Sequence, residues 1–305
     1  MAKKREKGRP LSQRARLMIQ VCFTALTNGY LTGFVQGKIY TGPLKMACLP
    51  GLNCYACPGA LGSCPIGALQ NSLSEIQGRP SMYVIGFLLA VGSLIGRFVC
   101  GFLCPIGLLQ DLLHKIPFAK RHKRKSAPGH AKLRWLKFVI LAIFVILLPF
   151  MARDAIGLGS PWYCKYICPS GTIMGGWPLI AANKSLRASI GWLFSWKTLL
   201  AVTLIGLSIF IYRPFCKYVC PLGAIYGTFN RFALVRFHID EDKCVRCGAC
   251  VRVCPMDIDV MNQPNSIECI RCGKCREVCP TKAIELTVGR KTIVESGKSE
   301  KRRVV

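Results

Sequence analysis

The sequence predicts an all-α polytopic membrane domain of about four transmembrane helices, followed by a small α+β domain rich in cysteine. Three observations lead to this fold class. The 305-residue chain is 51% hydrophobic with a mean hydropathy of +0.35, which is high for a soluble protein. Long apolar runs recur along residues 17–235. The 19 cysteines fall almost entirely in patterned groups, which favours metal ligation over a disulfide framework.

Four apolar runs are candidate membrane spans, at residues 17–35, 82–102, 135–152 and 192–212. Each approaches the roughly 20 residues that a bilayer requires. The first run follows a basic segment, residues 1–16, and no small-residue cleavage site ends it. It is therefore interpreted as an uncleaved span rather than a signal peptide.

The distribution of basic residues predicts the orientation of these spans. Nine Lys and Arg residues lie between Lys115 and Lys137, whereas the loops at 36–80 and 153–191 carry three and four. Because Lys and Arg are retained on the cytoplasmic side, the N-terminus, the middle loop and the C-terminal region are expected inside. Topology thus accounts for the net charge of +28 without a nucleic-acid partner, and anionic membrane lipid or an acidic protein remains an alternative partner for the basic loop.

The C-terminal region contains two runs of C-x2-C-x2-C-x3-C-P, CVRCGACVRVCP at 244–255 and CIRCGKCREVCP at 269–280. This spacing binds two [4Fe–4S] clusters, and the fourth cysteine of each run serves the other cluster. One cluster is expected on Cys244, Cys247, Cys250 and Cys279, and the other on Cys269, Cys272, Cys275 and Cys254. A zinc site or a disulfide set is the alternative, and the doubled pattern argues against both. Residues 236–288 resemble the bacterial two-cluster ferredoxin domain, so the α+β domain is predicted to be ferredoxin-like.

Two further motifs, RFVCGFLCPIG at 97–107 and RPFCKYVCPLG at 213–223, repeat the C-x3-C-P tail of the ferredoxin runs. Each follows an apolar run that is predicted to end inside. Their four cysteines, Cys100, Cys104, Cys216 and Cys220, could therefore hold one inner membrane [4Fe–4S] cluster. Arg97 and Arg213 are expected either beside this anionic cluster or at the membrane interface as anchors.

Partial copies of the motif lie in the predicted outer loops, YCKYICPSG at 163–171 and CYACPGALGSCPIGALQ at 54–70. The chain thus reads as two halves related by an axis along the membrane normal, a two-fold internal repeat. An outer cluster would use Cys164 and Cys168 with two of Cys54, Cys57 and Cys64, of which Cys57 and Cys64 are favoured. Disulfide or thiol chemistry is the alternative, because the outer compartment can be oxidising.

Electron transfer between the two membrane sites meets a problem of distance. The helix from Met82 to Val99 would be roughly 27 Å long, which is too far for one efficient tunnelling step. Motif loops that dip into the bilayer, a bridging quinone or flavin, or another role for the outer site each remain open. No haem is expected, because the four histidines, His114, His122, His130 and His238, all lie outside the predicted spans.

Four spans, inner C-x3-C-P pairs and a two-cluster domain together resemble the NapH/NosR-type membrane ferredoxins over nearly the whole chain. The four inner cysteines and the eight ferredoxin cysteines match that pattern residue by residue. The resemblance implies a multi-pass protein of the prokaryotic cytoplasmic (inner) membrane, with both termini in the cytoplasm. It also implies electron transfer between a cytoplasmic donor or the quinone pool and an extracytoplasmic redox partner. NosR-type proteins carry a large outer flavin-binding domain, for which this sequence shows no counterpart, so the terminal acceptor stays open.

Two other functions fit the same residues. One is an accessory or maturation factor that reduces metal or thiols for a respiratory enzyme, because soft thiolates suit Cu(I). The other is a membrane anchor that docks a soluble reductase. Whether the chain is an electron carrier or a subunit of an oxidoreductase is open, and no catalytic residue is assigned. The expected domains are a basic N-terminus at 1–16, the membrane domain at 17–235, the ferredoxin-like domain at 236–288 and a basic tail at 289–305.

Overall fold

The computed structural model describes residues 12–75, 80–117, 123–155, 158–188, 190–289 and 291–292. Most of both basic termini, the centre of the basic loop and His122 lie outside the described residues. The α-helices are α1 (Gln13–Thr27), α2 (Leu31–Gln36), α3 (Pro65–Leu73), α4 (Met82–Ile95), α5 (Phe98–Phe102), α6 (Pro105–Lys115), α7 (His130–Leu133), α8 (Leu136–Ile140), α9 (Leu148–Met151), α10 (Trp177–Ala182), α11 (Lys184–Ala188), α12 (Trp192–Phe210), α13 (Pro214–Tyr218), α14 (Pro221–Phe229), α15 (Ala249–Val253) and α16 (Lys274–Val278). Pro43–Met46 is a 3₁₀ turn, and Leu141–Leu147, Tyr163–Ile167 and Gly171–Gly176 are π-helical.

Two helices in the described part of the chain are long and apolar enough to cross a membrane. They are His130–Met151, with 22 residues and a hydropathy of 2.2, and Trp192–Phe210, with 19 residues and a hydropathy of 1.7. Met82–Ile95 is a shorter apolar helix. Length and composition therefore support a membrane location through two of the four predicted spans.

The first two predicted spans are not continuous helices. The run at 17–35 is divided between α1 and α2, with a break after Thr27. The run at 82–102 ends its first helix at Gly96, whose φ of 51° lies in the left-handed region that favours glycine. A short second helix, α5, then carries Cys100.

In three of the CPxG motifs, a new α-helix begins at the proline. Cys64, Cys104 and Cys220 are the residues before α3, α6 and α14, and proline is the first helical residue in each case. Proline suits this position because its missing N–H would have no partner in the helix and its φ is already helical. The motif sequence therefore places each of these cysteines at a sharp turn between two short helices.

The ferredoxin-like domain is built on an antiparallel sheet. Strand β1 (Val235–Ile239) pairs with β2 (Ile284–Val288) in the register Val235↔Val288 to Ile239↔Ile284, and the short β3 (Lys291–Thr292) follows β2. Helices α15 and α16 pack against each other. Each is preceded by a glycine in the left-handed region, Gly248 at φ 70° and Gly273 at φ 79°, so the chain can turn within the cysteine runs.

The ferredoxin-like domain is packed closely on the membrane domain. A Cβ atom on Gly101 would lie 2.3 Å from the Ile270 carbonyl oxygen, so only glycine fits between the two backbones. Arg271 donates to the Ile95 carbonyl at 2.6 Å, and the Asn230 side-chain amide donates to the Cys269 carbonyl at 2.7 Å. The cysteine run at 269–280 therefore lies directly against the inner motifs.

Candidate iron–sulfur sites

The two cysteine sets predicted in the ferredoxin-like domain each line one small cavity. Cys244, Cys247, Cys250 and Cys279 line the first, and Cys254, Cys269, Cys272 and Cys275 line the second. We call these the distal set and the proximal set, because the proximal set lies against the membrane domain. The fourth cysteine of each run thus sits with the other run, as the spacing predicts.

The proximal thiols are close enough to affect each other's ionisation. Burial raises the pKa of Cys269 to about 12, and the charges of Cys272 and Cys254 add to the rise. Four neighbouring thiols, three of them buried, ionise together only if a cation lies among them. A cluster of iron ions supplies that positive charge, so the donor set fits a [4Fe–4S] cluster.

The four inner cysteines come together from the two halves of the chain. All are buried, with exposures of 5%, 6%, 4% and 6% for Cys100, Cys104, Cys216 and Cys220. Burial raises the pKa of Cys104 to about 12, and the Cys216 and Cys100 charges raise it further. Burial, together with the charges of Cys216, Cys100 and Cys104, raises the pKa of Cys220 well above its usual value. We call this group the inner set, and its chemistry fits a third cluster for the same reason.

The two motif arginines cross between the halves of the inner set. Arg97 donates to the Cys216 carbonyl at 2.8 Å, and Arg213 donates to the Cys100 carbonyl. Asp111 accepts two hydrogen bonds from Arg213, at 2.7 and 2.6 Å. Both arginines are 0% exposed. They are therefore buried beside the thiols, and the interfacial anchoring that the sequence left open does not describe them.

Buried cations outnumber buried carboxylates around the inner and proximal sets. The carboxylates are Asp111 and Glu268, and the six cations are Arg16, Arg97, Lys137, Arg213, Lys217 and Arg271. The thiols lie close enough to act electrostatically on several of these cations, as Cys100 does on Arg97 and Cys254 on Lys217. An uncompensated buried charge costs several kcal/mol. Because a [4Fe–4S] cluster with four thiolates is an anion, two such clusters would balance the excess.

The outer loops bring together Cys54, Cys64, Cys164 and Cys168, which we call the outer set. Burial raises the pKa of Cys64 to about 12, and Cys168 and Cys54 add to it. Burial also raises the pKa of Cys168 to about 11, with a further contribution from Cys54. Two cations lie close by, since Lys197 donates to the Cys164 carbonyl at 3.0 Å and the buried Lys45 interacts with Cys54.

Cys57, which the sequence favours as an outer ligand, has a different contact from Cys54. Its sulfur lies 3.5 Å from the Asn28 side-chain oxygen, whereas Cys54 is close enough to Cys64 to raise the pKa of that thiol. The geometry favours Cys54 over Cys57, and the ligand assignment stays a prediction. The motif spacing does not decide between the two, because neither cysteine has the four-residue spacing to Cys64 that the other motifs share.

The outer loop that carries Cys54 reaches the inner set. A Cβ on Gly51 would lie 3.1 Å from the Cys104 Cα, and the Leu52 amide faces the Cys104 thiol. Cys54 is two residues beyond Leu52, and two residues span at most about 7 Å. The inner and outer sets are therefore much closer than the roughly 27 Å of a straight helix between loops at opposite membrane faces. This approach depends on a tertiary contact that the motif spacing does not encode.

Two fully buried tyrosines are close enough to both sets for the thiols to affect their pKa values. Burial raises the pKa of Tyr163, and the charges of Cys168 of the outer set and Cys220 of the inner set raise it further. Burial likewise raises the pKa of Tyr226, with contributions from Cys100 and Cys64. Both side chains are 0% exposed.

Within the residues that the structure describes, no three His, Cys, Asp or Glu side chains form a site for a single metal ion. The case for clusters therefore depends on the pattern, burial and mutual electrostatics of the thiols, together with the charges around them.

Comparisons with known proteins point to the same chemistry. The family described as 4Fe-4S binding domain matches residues 78–126, 134–184 and 192–240, and the 4Fe-4S dicluster domain matches residues 236–280. These matches cover both the inner motifs and the ferredoxin-like domain. The first family recurs three times, once around each of the complete C-x3-C-P motifs at 97–107, 163–171 and 213–223, whereas the sequence predicts a two-fold repeat.

Three curated relatives show how far the similarity extends. An uncharacterized protein of Methanocaldococcus jannaschii is 30% identical over 61% of this chain and 61% of its own length. The putative electron transport protein YccM of Escherichia coli is 27% identical over 69% of this chain and 58% of its own. The ferredoxin-type protein NapH of Haemophilus influenzae is 27% identical over 59% of this chain and 54% of its own. The chain thus spans little more than half the length of these relatives. No solved structure matches the chain.

The domain matches and the thiol sets define the class: this is an iron–sulfur protein with several 4Fe–4S binding domains. Within that class, the chain is related to ferredoxin-type proteins named NapH and MauN and to the protein named NosR.

Proposed function

We propose that the chain is a membrane-bound electron-transfer protein with four spans and four [4Fe–4S] clusters, which pass electrons through the membrane domain. The main supporting observation is that the segments that carry the proximal, inner and outer sets touch one another. The proximal run lies on Gly101, beside Cys100 of the inner set, and the loop before Cys54 of the outer set lies on Cys104. Clusters held on adjoining segments are suited to passing electrons from one to the next.

The distal set is the proposed point of exchange with a cytoplasmic redox protein. Cys247 is exposed, whereas all four inner cysteines are buried. Electrons would then move through the proximal and inner sets to the outer set and an extracytoplasmic partner. The quinone pool is the alternative donor at the inner side.

The loops of the outer set are proposed to enter the bilayer from the outer side. Irregular backbone is tolerated at membrane depth where protein buries it. In support, Leu52 is 2% exposed and Asn53 is 1% exposed, so this loop is covered by the rest of the chain. Such loops remove the need for one long tunnelling step across a span.

The experiment that tests this function measures iron and acid-labile sulfide per chain after anaerobic purification in detergent. Four clusters predict about 16 iron atoms, and a Cys164→Ser/Cys168→Ser variant should lose about 4. Cys22→Ser is the matched control, because Cys22 is exposed on α1 and should change nothing. A wild-type content near 8 iron atoms per chain would contradict the proposal and favour a membrane anchor with a two-cluster domain.

One observation favours an accessory function as second candidate. The Cys57 thiol lies beside Cys54, so the two could form a thiol pair for metal or disulfide reduction. A wild-type value near 12 iron atoms, with Cys54 and Cys57 reactive to thiol reagents, would favour it over the four-cluster pathway.

A further inference from the structure

Two glutamines occupy equivalent positions in two successive copies of the cysteine motif. Gln110 ends CPIGLLQ and Gln70 ends CPIGALQ, so each lies six residues after the cysteine of its motif. Both side chains are buried, with exposures of 1% and 0%. A buried amide needs partners for its donors and its acceptor, and both glutamines find them in the opposite half of the chain.

Gln110 holds the Cys216 segment by two contacts. Its amide Nε2 donates to the Cys216 sulfur at 3.2 Å, and its Oε1 accepts the Phe215 N–H at 3.2 Å. Nε2 also donates to the Ile106 carbonyl at 3.2 Å, one turn earlier in α6. The bond to the Ile106 carbonyl therefore fixes the amide in an orientation in which it also donates to a thiol of the inner set.

Gln70 makes the same three contacts at the outer set. Its Nε2 donates to the Cys164 sulfur at 3.3 Å, and its Oε1 accepts the Tyr163 N–H at 3.0 Å. The third contact is to the Ile66 carbonyl at 3.4 Å. Two independent sites thus share one construction, which a chance contact does not explain.

The construction is present in only one half of each site. The equivalent positions in the second half are Tyr226, six residues after Cys220, and Met174, six residues after Cys168. The Tyr226 hydroxyl donates to the Pro50 carbonyl, and Ser170 donates to the Met174 sulfur. Each site therefore has one glutamine, which acts on the first cysteine of the second-half motif.

We propose that Gln110 and Gln70 are positioning residues that hold Cys216 and Cys164 in place and raise the reduction potentials of the inner and outer clusters. This inference rests on the proposed function. An N–H···S hydrogen bond stabilises negative charge on the ligand sulfur, so it favours the reduced, more negative cluster. The bond from the backbone N–H to Oε1 fixes the ligand segment so that this contact is kept.

The test is an EPR-monitored redox titration of the full-length protein, with iron counted in each sample. Gln110→Leu should lower the potential of one membrane cluster, and Gln70→Leu should lower that of a different one, while the ferredoxin clusters keep theirs. Gln110→Glu keeps an acceptor for the Phe215 N–H but has no amide donor. It should retain its iron and show the same downward shift. Asn71→Leu, an exposed amide on the same helix as Gln70, is the control and should shift nothing.

The outcomes separate this inference from the proposed function. Wild-type protein with about 16 iron atoms and unchanged potentials in both Leu variants would overturn the inference alone. A shift of all clusters together would also overturn it, because the effect would then be global. Loss of a cluster in Gln110→Leu that Gln110→Glu restores would support the holding role. Wild-type protein with about 8 iron atoms would remove the proposed function, and this inference with it.

Discussion

Arg97 Nη1 lies 2.8 Å from Glu268 Oε2, and the two side chains are 0% and 4% exposed. This ion pair joins the inner motif of the membrane domain to the residue before Cys269 in the ferredoxin-like domain. Lys137, from the helix His130–Met151, shares the same carboxylate. A single acidic side chain therefore connects both halves of the membrane domain to the proximal set.

Glu268→Gln should destabilise the docking of the ferredoxin-like domain. The substitution leaves Arg97 and Lys137 buried without their carboxylate, and breaking a buried pair in this way costs about 3–5 kcal/mol. We expect a lower Tm and faster proteolytic cleavage within residues 236–288. Glu241→Gln is the control, because Glu241 is exposed in the same domain. A variant with the Tm and protease resistance of the control would contradict a structural role for the pair.

Gly101→Ala should separate the proximal and inner sets. The added Cβ would lie 2.3 Å from the Ile270 carbonyl, so the backbones must move apart, at a cost of roughly 1–3 kcal/mol. We expect slower electron transfer between the ferredoxin clusters and the inner cluster, measured by freeze-quench EPR after rapid reduction. Gly86→Ala is the matched control, since no atom lies within 4 Å of a Cβ at that position. Equal rates in the two variants would show that this contact does not lie on the electron path.

The parts of the sites that the sequence predicts are those encoded by local spacing. The ferredoxin sets and the inner set follow from repeated motifs, since four thiols at fixed spacings around a short helix can meet at one cluster. The outer set is less predictable, because Cys54 and Cys64 are ten residues apart and match no motif. Which of Cys54 and Cys57 joins it depends on how the loop folds against Asn28 and Cys104.

The parts that the sequence does not predict depend on contacts between distant segments. The charge pattern predicts orientation, but it treats basic residues as solvated, whereas Arg16, Lys137 and Lys217 are buried against the cysteine sets. The hydropathy pattern extends the second span to residue 102. It does not detect the end of the helix at Gly96, which depends on the left-handed backbone conformation of that glycine. The similarity of CPIGALQ and CPIGLLQ is visible in the sequence. The role of Gln70 and Gln110, however, can be inferred only from their partners in the fold.

Cys54→Ser and Cys57→Ser should differ in iron content. Cys54 lies with Cys64 and Cys168, whereas the Cys57 sulfur contacts Asn28, so only the first substitution removes a thiol from the outer set. We expect Cys54→Ser to lose about 4 iron atoms per chain and Cys57→Ser to lose none. The two variants control for each other, as both change a cysteine of one short loop. Loss of iron in Cys57→Ser alone would restore the ligand pair that the sequence favoured.

Asp111→Asn should raise the reduction potential of the inner cluster. Burial opposes the ionisation of Asp111, but Arg213 and Arg16 together hold its pKa below the usual range. A carboxyl with a depressed pKa contributes stability above its ordinary pKa and loses it only as the pH falls through the folded value. At neutral pH it is therefore a fixed negative charge, and its removal leaves more positive charge around the inner set.

The potential is measured by EPR-monitored titration at neutral pH, where the expected shift is upward and confined to one cluster. Asp154→Asn, an exposed carboxylate, is the control and should leave all potentials unchanged. The same Asp111 variant should also unfold more easily, because Arg213 loses one of its two acceptors and the negative charge that pairs with it. A downward shift would show that the released Arg213 moves away from the Cys100 carbonyl, and that its contact with the inner set depends on Asp111.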